Sequence, residues 1–166
     1  MNTRGFTLIE TIIYIAIIGG VLVALTSFVL TISGSRNKSY SEQEINANAR
    51  MALNIVSQKI KSASGINVGA STFNAHPGVL SLSMTSSTLN PTVIALNGNR
   101  LIITKGIGAS QFITSPRVAI TNLVFTNLTG DSNHGNIGID IGFSFASSTG
   151  SDYVFTSSLQ TAVSVR

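Results

Sequence analysis

The chain of 166 residues contains no cysteine and only three prolines. The absence of cysteine excludes a disulfide framework, a cysteine nucleophile and a cysteine-ligated metal site. The first proline is Pro77, so no proline kinks or loosens a helix in the N-terminal part of the chain.

Charge is also scarce, because charged residues make up 10% of the chain and the formal net charge is only +4. The basic side chains form no run and are scattered along the sequence: Arg4, Arg36, Lys38, Arg50, Lys59, Lys61, Arg100, Lys105, Arg117 and Arg166. The sequence therefore leaves nucleic acid open as a partner without indicating it; close approach of Arg100, Lys105 and Arg117 in space would favour it.

The residue types that catalysis needs are missing or isolated. His76 and His134 are the only histidines, and each lies among loop-forming residues. There is no Gly-x-Ser-x-Gly nucleophile motif and no glycine-rich phosphate loop. The sequence predicts no enzymatic activity and no cofactor.

One polar segment, residues 131–136, has the oxygen spacing with which a calcium loop could begin. It lacks the glycine and the distal glutamate of an EF-hand at the required positions. We interpret it as a polar turn that leads into a strand, so no metal site is predicted.

The longest feature that is present is an uncharged apolar run over residues 11–32. About 20 apolar residues are needed to cross a bilayer, and this run supplies 22. Glu10 stands directly before it, and a carboxylate within a membrane-length helix costs about 2.5–3.5 kcal/mol near the bilayer centre, so such a residue usually has a partner or a task. The sequence predicts a transmembrane helix over residues 6–35.

Two further features of this helix concern its surroundings. Ala16, Gly20 and Ala24 recur every four residues and predict a ridge of small side chains, which allows close approach of another helix, although ordinary membrane-helix composition explains them equally well. Arg36 and Lys38 follow the span, whereas Arg4 is the only side-chain charge before it, so charge alone leaves the orientation open.

The segment Gly5-Phe6-Thr7-Leu8-Ile9-Glu10, with Arg4 before it and the apolar run after it, resembles the N-terminus of type IV prepilins and type II secretion pseudopilins. The resemblance implies a leader peptide of residues 1–5, cleavage between Gly5 and Phe6 by a prepilin peptidase, and N-methylation of Phe6. It also implies that the N-terminus lies in the cytoplasm and the rest of the chain outside the inner membrane.

For Glu10 the resemblance implies pairing with the terminal ammonium of Phe6 on a neighbouring subunit during filament assembly. Two alternatives remain at this point. Glu10 could act as a first-turn acid that favours the helix dipole, and the chain could be a plain single-pass anchor outside any filament.

After the span the pattern stays helical over residues 36–64. One face carries an apolar stripe of Ile45, Ala49, Ala52, Val56, Ile60 and Ala63, with Arg50, Ser57 and Lys61 on the other side. Gly65 is the predicted end, so the whole helix would run from Phe6 to Ser64 over about 90 Å. A following domain is expected to cover the stripe; the alternative is a free amphipathic helix lying on the membrane.

From residue 65 to residue 166 the sequence predicts a β-rich domain. Alternating segments predict strands at residues 79–84, 92–96, 100–104, 117–128, 137–145 and 153–165. The clearest strand places Ile137, Ile139, Ile141, Phe143 and Phe145 on one face, and Asn97-Gly98-Asn99 indicates a hairpin.

The expected fold is α+β, with an antiparallel sheet packed on the apolar stripe of the long helix. Pilins share this architecture, and residues 120–125 and 159–166 are similar to minor pseudopilins of the J type. The predicted function is a structural subunit, most simply a minor one, of a type IV pilus, competence pilus or type II secretion pseudopilus. The alternative is a tip pilin whose β domain binds DNA or a surface.

Overall fold

The computed structural model describes Gly5 and residues 7–130, 135–145 and 156–165. In these parts of the chain one long helix precedes eight strands: α1 Leu8–Lys61, β1 Gly65–Ile66, β2 Leu80–Ser83, β3 Thr92–Asn97, β4 Arg100–Lys105, β5 Gln111–Phe112, β6 Val118–Asn127, β7 Asn136–Phe145 and β8 Thr156–Ser164.

Helix α1 is continuous over 54 residues. At about 1.5 Å per residue it extends about 81 Å, somewhat less than the sequence predicts. Its C-terminal end differs from the prediction, because Ser62 caps it with a backbone N–H bond to the Gln58 carbonyl at 3.0 Å. Gly65 does not end the helix; it begins β1 and pairs with Ser83 of β2.

The first sheet is an antiparallel meander of five strands in the order β1-β2-β3-β4-β5. The predicted hairpin joins β3 to β4, where Asn97 pairs with Arg100 across a two-residue turn. Gly98 has a φ of +58°, a conformation that glycine adopts without the steric cost of a Cβ. The two-residue strands β1 and β5 were not predicted.

The second sheet has three antiparallel strands in the order β6-β7-β8. Ile137, Ile139, Ile141 and Phe143 are buried as predicted, whereas Phe145 at the strand end is half-buried. The last strand begins at Thr156. The part of its predicted range that includes Tyr153 lies outside the described residues.

The sheets bury the predicted stripe of α1. Its six members are at most 3% exposed: Ile45, Ala49, Ala52, Val56, Ile60 and Ala63. They share one core with apolar side chains from both sheets, and α1 contacts β6, β7 and β8. The covered half of α1 is therefore part of a folded domain, and the α+β expectation is confirmed.

The prediction of a single sheet needs correction, because the strands divide into two. The segment before β2 runs along the outer side of β6, where Asn74 N–H donates to the Phe125 carbonyl and Gly78 N–H to the Leu123 carbonyl, each at 2.8 Å. A Cβ at Gly78 would stand 3.0 Å from the Leu123 oxygen and from the Phe125 ring, so this close approach requires glycine. These bonds connect the two sheets without merging them.

Candidate functional site on the long helix

The first turn of α1 is held by a side-chain cap. Thr7 is extended, with φ −82° and ψ 150°, and its hydroxyl accepts the Glu10 N–H at 3.4 Å. Thr7-Leu8-Ile9-Glu10 has the spacing of a capping box, in which a Thr caps the helix and a Glu occupies the third helical position. This capping box was not predicted, although its pattern is local and can be read from the sequence.

Glu10 is the acidic residue of the first helical turn, and it is partly exposed. A negative charge here interacts favourably with the N-terminal end of the helix dipole. Gly5 is exposed, with no heavy atom within 4 Å of the place where a Cβ would stand. Phe6, the predicted cleavage and methylation residue, lies outside the described residues.

The N-terminal half of α1 is long and apolar enough, by length and composition, to cross a membrane. An 18-residue window in it has a mean hydropathy of 2.5 and no buried residue. Two of its hydroxyl groups are bonded within the helix, because Thr26 donates to the Leu22 carbonyl at 2.8 Å and Thr31 to the Ser27 carbonyl at 2.9 Å. Such bonds lower the cost of placing hydroxyls in hydrocarbon, where no water can satisfy them.

The predicted ridge of small side chains is exposed along its whole length. Ala16, Gly20 and Ala24 lie in the uncovered half of α1, and nothing stands within 4 Å of a Cβ added at Gly20. The helix continues through Gly19-Gly20 without a break. The ridge is thus open to another helix.

The structure does not bring Arg100, Lys105 and Arg117 into one cluster. Arg100 and Lys105 begin and end β4, about 17 Å apart at about 3.4 Å per residue. The Arg100 guanidinium lies 3.8 Å from the centre of the Phe112 ring, and Lys105 contacts Gln111. The Arg100 guanidinium also donates to the Thr114 carbonyl at 2.8 Å, three residues before Arg117, whose own side chain bonds Tyr40 of the helix. Because Lys105 lies at the far end of β4, the three cations do not form one cluster.

Arg117 and Tyr40 connect the sheets to the middle of α1. Arg117 Nη1 donates to the Tyr40 hydroxyl at 2.6 Å. The Tyr40 ring meets the Phe145 ring edge-on, with centroids 6.4 Å apart and planes at 79°. These residues are far apart in sequence, so no local pattern could have identified the contact.

Asn48 makes a second polar connection, between the helix and the segment before β6. It is 7% exposed, its Nδ2 donates to the Glu44 carbonyl at 2.9 Å, and its Oδ1 accepts the Ser115 N–H at 2.8 Å. The sequence offered a signal for this bond, because Asn48 is a polar residue between Ile45 and Ala52 on the buried face. A buried amide requires hydrogen-bond partners.

The remaining candidates offer no reactive site. His76 Nδ1 accepts the Leu123 N–H at 3.0 Å, which is a structural role. Among the described residues no group of three or more His, Cys, Asp or Glu side chains could hold a metal ion. Most of the candidate calcium segment, residues 131–134, lies outside those residues and includes His134.

Comparison with protein-family models, characterised proteins and solved structures gave no match. What the chain itself establishes is an α+β protein whose N-terminal helix has one half covered by antiparallel sheets and one half apolar, exposed and long enough to cross a membrane.

Proposed function

We propose that the chain is a pilin-like filament subunit, most simply a minor one, of a type IV pilus, competence pilus or type II secretion pseudopilus. In this proposal the exposed half of α1 anchors the subunit in the inner membrane before assembly and packs against other subunits in the filament afterwards. The sheets form an extracytoplasmic domain. The chain acts by assembly, not by catalysis.

The observation that carries the proposal is the division of one unbroken helix into two halves. The sheets cover the stripe from Ile45 to Ala63, whereas the apolar half before it has no buried residue in its most apolar window. A helix that is apolar on all sides requires a membrane or other helices around it. In a filament subunit, lipid surrounds this half before assembly and neighbouring helices surround it afterwards, so its apolar surface is covered at each stage.

The Gly5–Glu10 segment supports the same proposal from the sequence. The partners it implies are a prepilin peptidase, which would cleave after Gly5 and methylate Phe6, and other pilin or pseudopilin subunits. Glu10 lies at the first turn of α1, four residues after the new terminus. The carboxylate of one subunit could therefore meet the amine of another at the ends of adjacent helices.

Among the alternatives, a plain single-pass anchor is favoured by one observation. The Glu10 carboxylate lies in the first turn of α1, where it favours the helix dipole, a role that requires no second subunit. A tip pilin that binds DNA through its sheets is less well supported, because Arg100, Lys105 and Arg117 do not converge. A filament subunit should be found in sheared surface filaments, whereas a plain anchor should remain in membranes.

The first test is mass spectrometry of the protein purified from cells that contain a prepilin peptidase. We expect the N-terminal residue to be Phe6, carrying a methyl group, both in membranes and in sheared filaments. Cells without the peptidase provide the control, in which residues 1–5 should remain. An intact N-terminus in the presence of the peptidase, together with absence from filaments, would contradict the proposal.

A further inference from the structure

We propose that the side chains where α1 leaves its apolar half form a binding site for the headgroup of an anionic phospholipid. The site, called here the junction cluster, consists of Arg36, Tyr40 and Arg117, and Lys38 lies at the same level on the other side of the helix. It rests on the proposed membrane span of α1 but not on filament assembly.

The junction cluster combines side chains of the helix with one from the sheets. The Arg117 Nη1–Tyr40 hydroxyl bond of 2.6 Å joins residues 77 positions apart, and Phe145 packs edge-on against the Tyr40 ring. Arg36, Lys38 and Arg117 are exposed, and Tyr40 is 47% exposed. The fold therefore presents two cations and a phenol on one side of the helix, with Lys38 at a similar level on the other side.

That level matches the headgroup layer of a bilayer. At about 1.5 Å per residue, Arg36 lies about 6 Å and Tyr40 about 12 Å beyond Ile32, where the apolar run ends. The headgroup region extends about 5–8 Å beyond the hydrocarbon on each side. Side chains on a helix tilt toward its N-terminus, so the Tyr40 side chain leans back toward this layer.

On α1 the charges at this level are of one sign. The sequence contains no carboxylate between Glu10 and Glu42. Glu42 and Glu44 follow the junction cluster, and their backbone lies about 15 and 18 Å beyond Ile32, farther from the membrane. The cations at the headgroup level are thus closer to a lipid phosphate than these two acids are.

The chemistry of the cluster fits a phosphate diester. A guanidinium offers five N–H donors in a planar fork that can bind two phosphate oxygens. Within the part of the chain that the structure describes, the Arg117 guanidinium makes one side-chain hydrogen bond, to Tyr40. This bond uses one of the five N–H donors that a guanidinium carries.

The helix surface below the cluster suits the acyl part of the same lipid. Phe28 is 63% exposed and Ile32 is 42% exposed, and both line one shallow hollow with Arg36 and Tyr40. The lower part of this hollow is apolar and the upper part carries a cation and a hydroxyl. An acyl chain and a headgroup require this order along the membrane normal.

The test uses the full-length protein in bilayer nanodiscs that contain equal amounts of phosphatidylglycerol and phosphatidylcholine, followed by native mass spectrometry of lipids retained after release. We expect preferential retention of phosphatidylglycerol. The double variant Arg36→Gln/Arg117→Gln should reduce that retention at least fivefold, and Arg36→Gln alone should reduce it partly. Arg50→Gln is the matched control, because Arg50 is an exposed cation of the same helix about 21 Å beyond Arg36.

Three results would overturn the lipid site: equal retention of both lipids, an equal effect of Arg50→Gln, or unchanged retention in the double variant. Alkaline washing of vesicles made of phosphatidylcholine alone tests the anchor separately. A chain that washes off contradicts the span and the lipid site together. A chain that stays but shows no lipid preference contradicts the lipid site alone, and neither result depends on filament formation.

Discussion

At Glu10 two physical roles compete for one carboxylate. As the third helical residue after the Thr7 cap, it occupies the acidic position of a capping box and favours the helix dipole. Glu10 is also the single acid at the start of an apolar helix. In a membrane or a filament core its charge would lose contact with water, which costs free energy unless a partner is present. Capping needs a hydrogen-bond acceptor, whereas pairing with an ammonium gains most from a charge, so the two roles can be separated by substitution.

We expect Glu10→Ala and Glu10→Gln to reduce incorporation into filaments to a similar extent. Glutamine keeps the acceptor that a capping box requires but cannot form an ion pair. Loss of one partner of a buried ion pair costs about 3–5 kcal/mol, enough to reduce incorporation by more than tenfold. The measurement is the ratio of cleaved protein in sheared filaments to cleaved protein in membranes.

The matched control for Glu10 is Thr7→Ala, which removes the hydroxyl that accepts the Glu10 N–H. It should cost about 1 kcal/mol at the helix start and leave incorporation of the cleaved protein close to normal. Rescue by glutamine, or a defect in Thr7→Ala as large as that in Glu10→Ala, would assign Glu10 to capping and remove the pairing mechanism.

Loss of the Asn48 side chain should weaken the attachment of the helix to the rest of the fold. In Asn48→Ala the Ser115 N–H loses its 2.8 Å acceptor in a half-buried position. An unsatisfied buried donor costs about 1–3 kcal/mol, and the better helix propensity of alanine offsets about 0.5 kcal/mol of this. We expect a lower thermal unfolding midpoint in detergent and faster hydrogen exchange at the Ser115 amide.

Asn54→Ala is the control for Asn48, because Asn54 is exposed on the same helix. It should leave the unfolding midpoint unchanged or slightly raised, since only helix propensity changes. If Asn48→Ala is as stable as Asn54→Ala, the Asn48 bridge does not hold the helix to the sheets.

Among the elements, those with a long periodic pattern could be predicted from sequence. The stripe of α1 repeats over several turns, and β7 alternates over ten residues, so burial of one face follows from the spacing alone. The strands β1 and β5 have two residues each and carry no period. The end of α1 was misplaced because Ser62 caps it in a right-handed conformation, with φ −90°, so no glycine marks the position.

The ridge of α1 supplies a prediction at the same scale. Gly20→Leu should reduce incorporation into filaments several-fold, because a large side chain between Ala16 and Ala24 prevents close approach of a neighbouring helix. Membrane insertion should be unaffected, since leucine makes the span more apolar. The measurement is again the filament-to-membrane ratio of cleaved protein.

Gly19→Leu is the matched control for the ridge, because it makes the same substitution about 100° away around the helix. A ridge that carries the contact predicts a smaller defect for Gly19→Leu than for Gly20→Leu. Equal losses of filament incorporation would show that both glycines act through helix flexibility or general crowding, and that no single packing face is involved.

At the scale of the whole molecule, the partition between a covered and an uncovered half of one helix followed from composition, whereas the division of the strands into two sheets did not. That division depends on the segment before β2 binding the outer side of β6 at Leu123 and Phe125, which is a long-range contact. The contact of Arg117 with Tyr40 is equally non-local. Patterns in sequence indicate which faces are buried, but not which segments meet.

The orientation of the molecule provides the final prediction, because two arguments oppose each other. Arg36 and Lys38 after the span outnumber Arg4 before it, and the positive-inside rule would then retain the sheets in the cytoplasm. The filament proposal requires the opposite orientation. We expect nearly all of the inserted protein to have its C-terminal domain outside the inner membrane. A reporter fused after Arg166 should therefore be active if it works outside the membrane and inactive if it works in the cytoplasm.

Substitution of the two flanking cations shows which argument governs the orientation. Arg36→Gln/Lys38→Gln should leave the external location unchanged if the N-terminal segment and its processing set the topology. If the C-terminal domain lies on both sides of the membrane in the native chain and only outside in the variant, the two cations oppose export in the native chain. A reporter active only in the cytoplasm, in the native chain and in the variant alike, would contradict assembly from the membrane, because a subunit whose sheets lie inside cannot enter an external filament through α1.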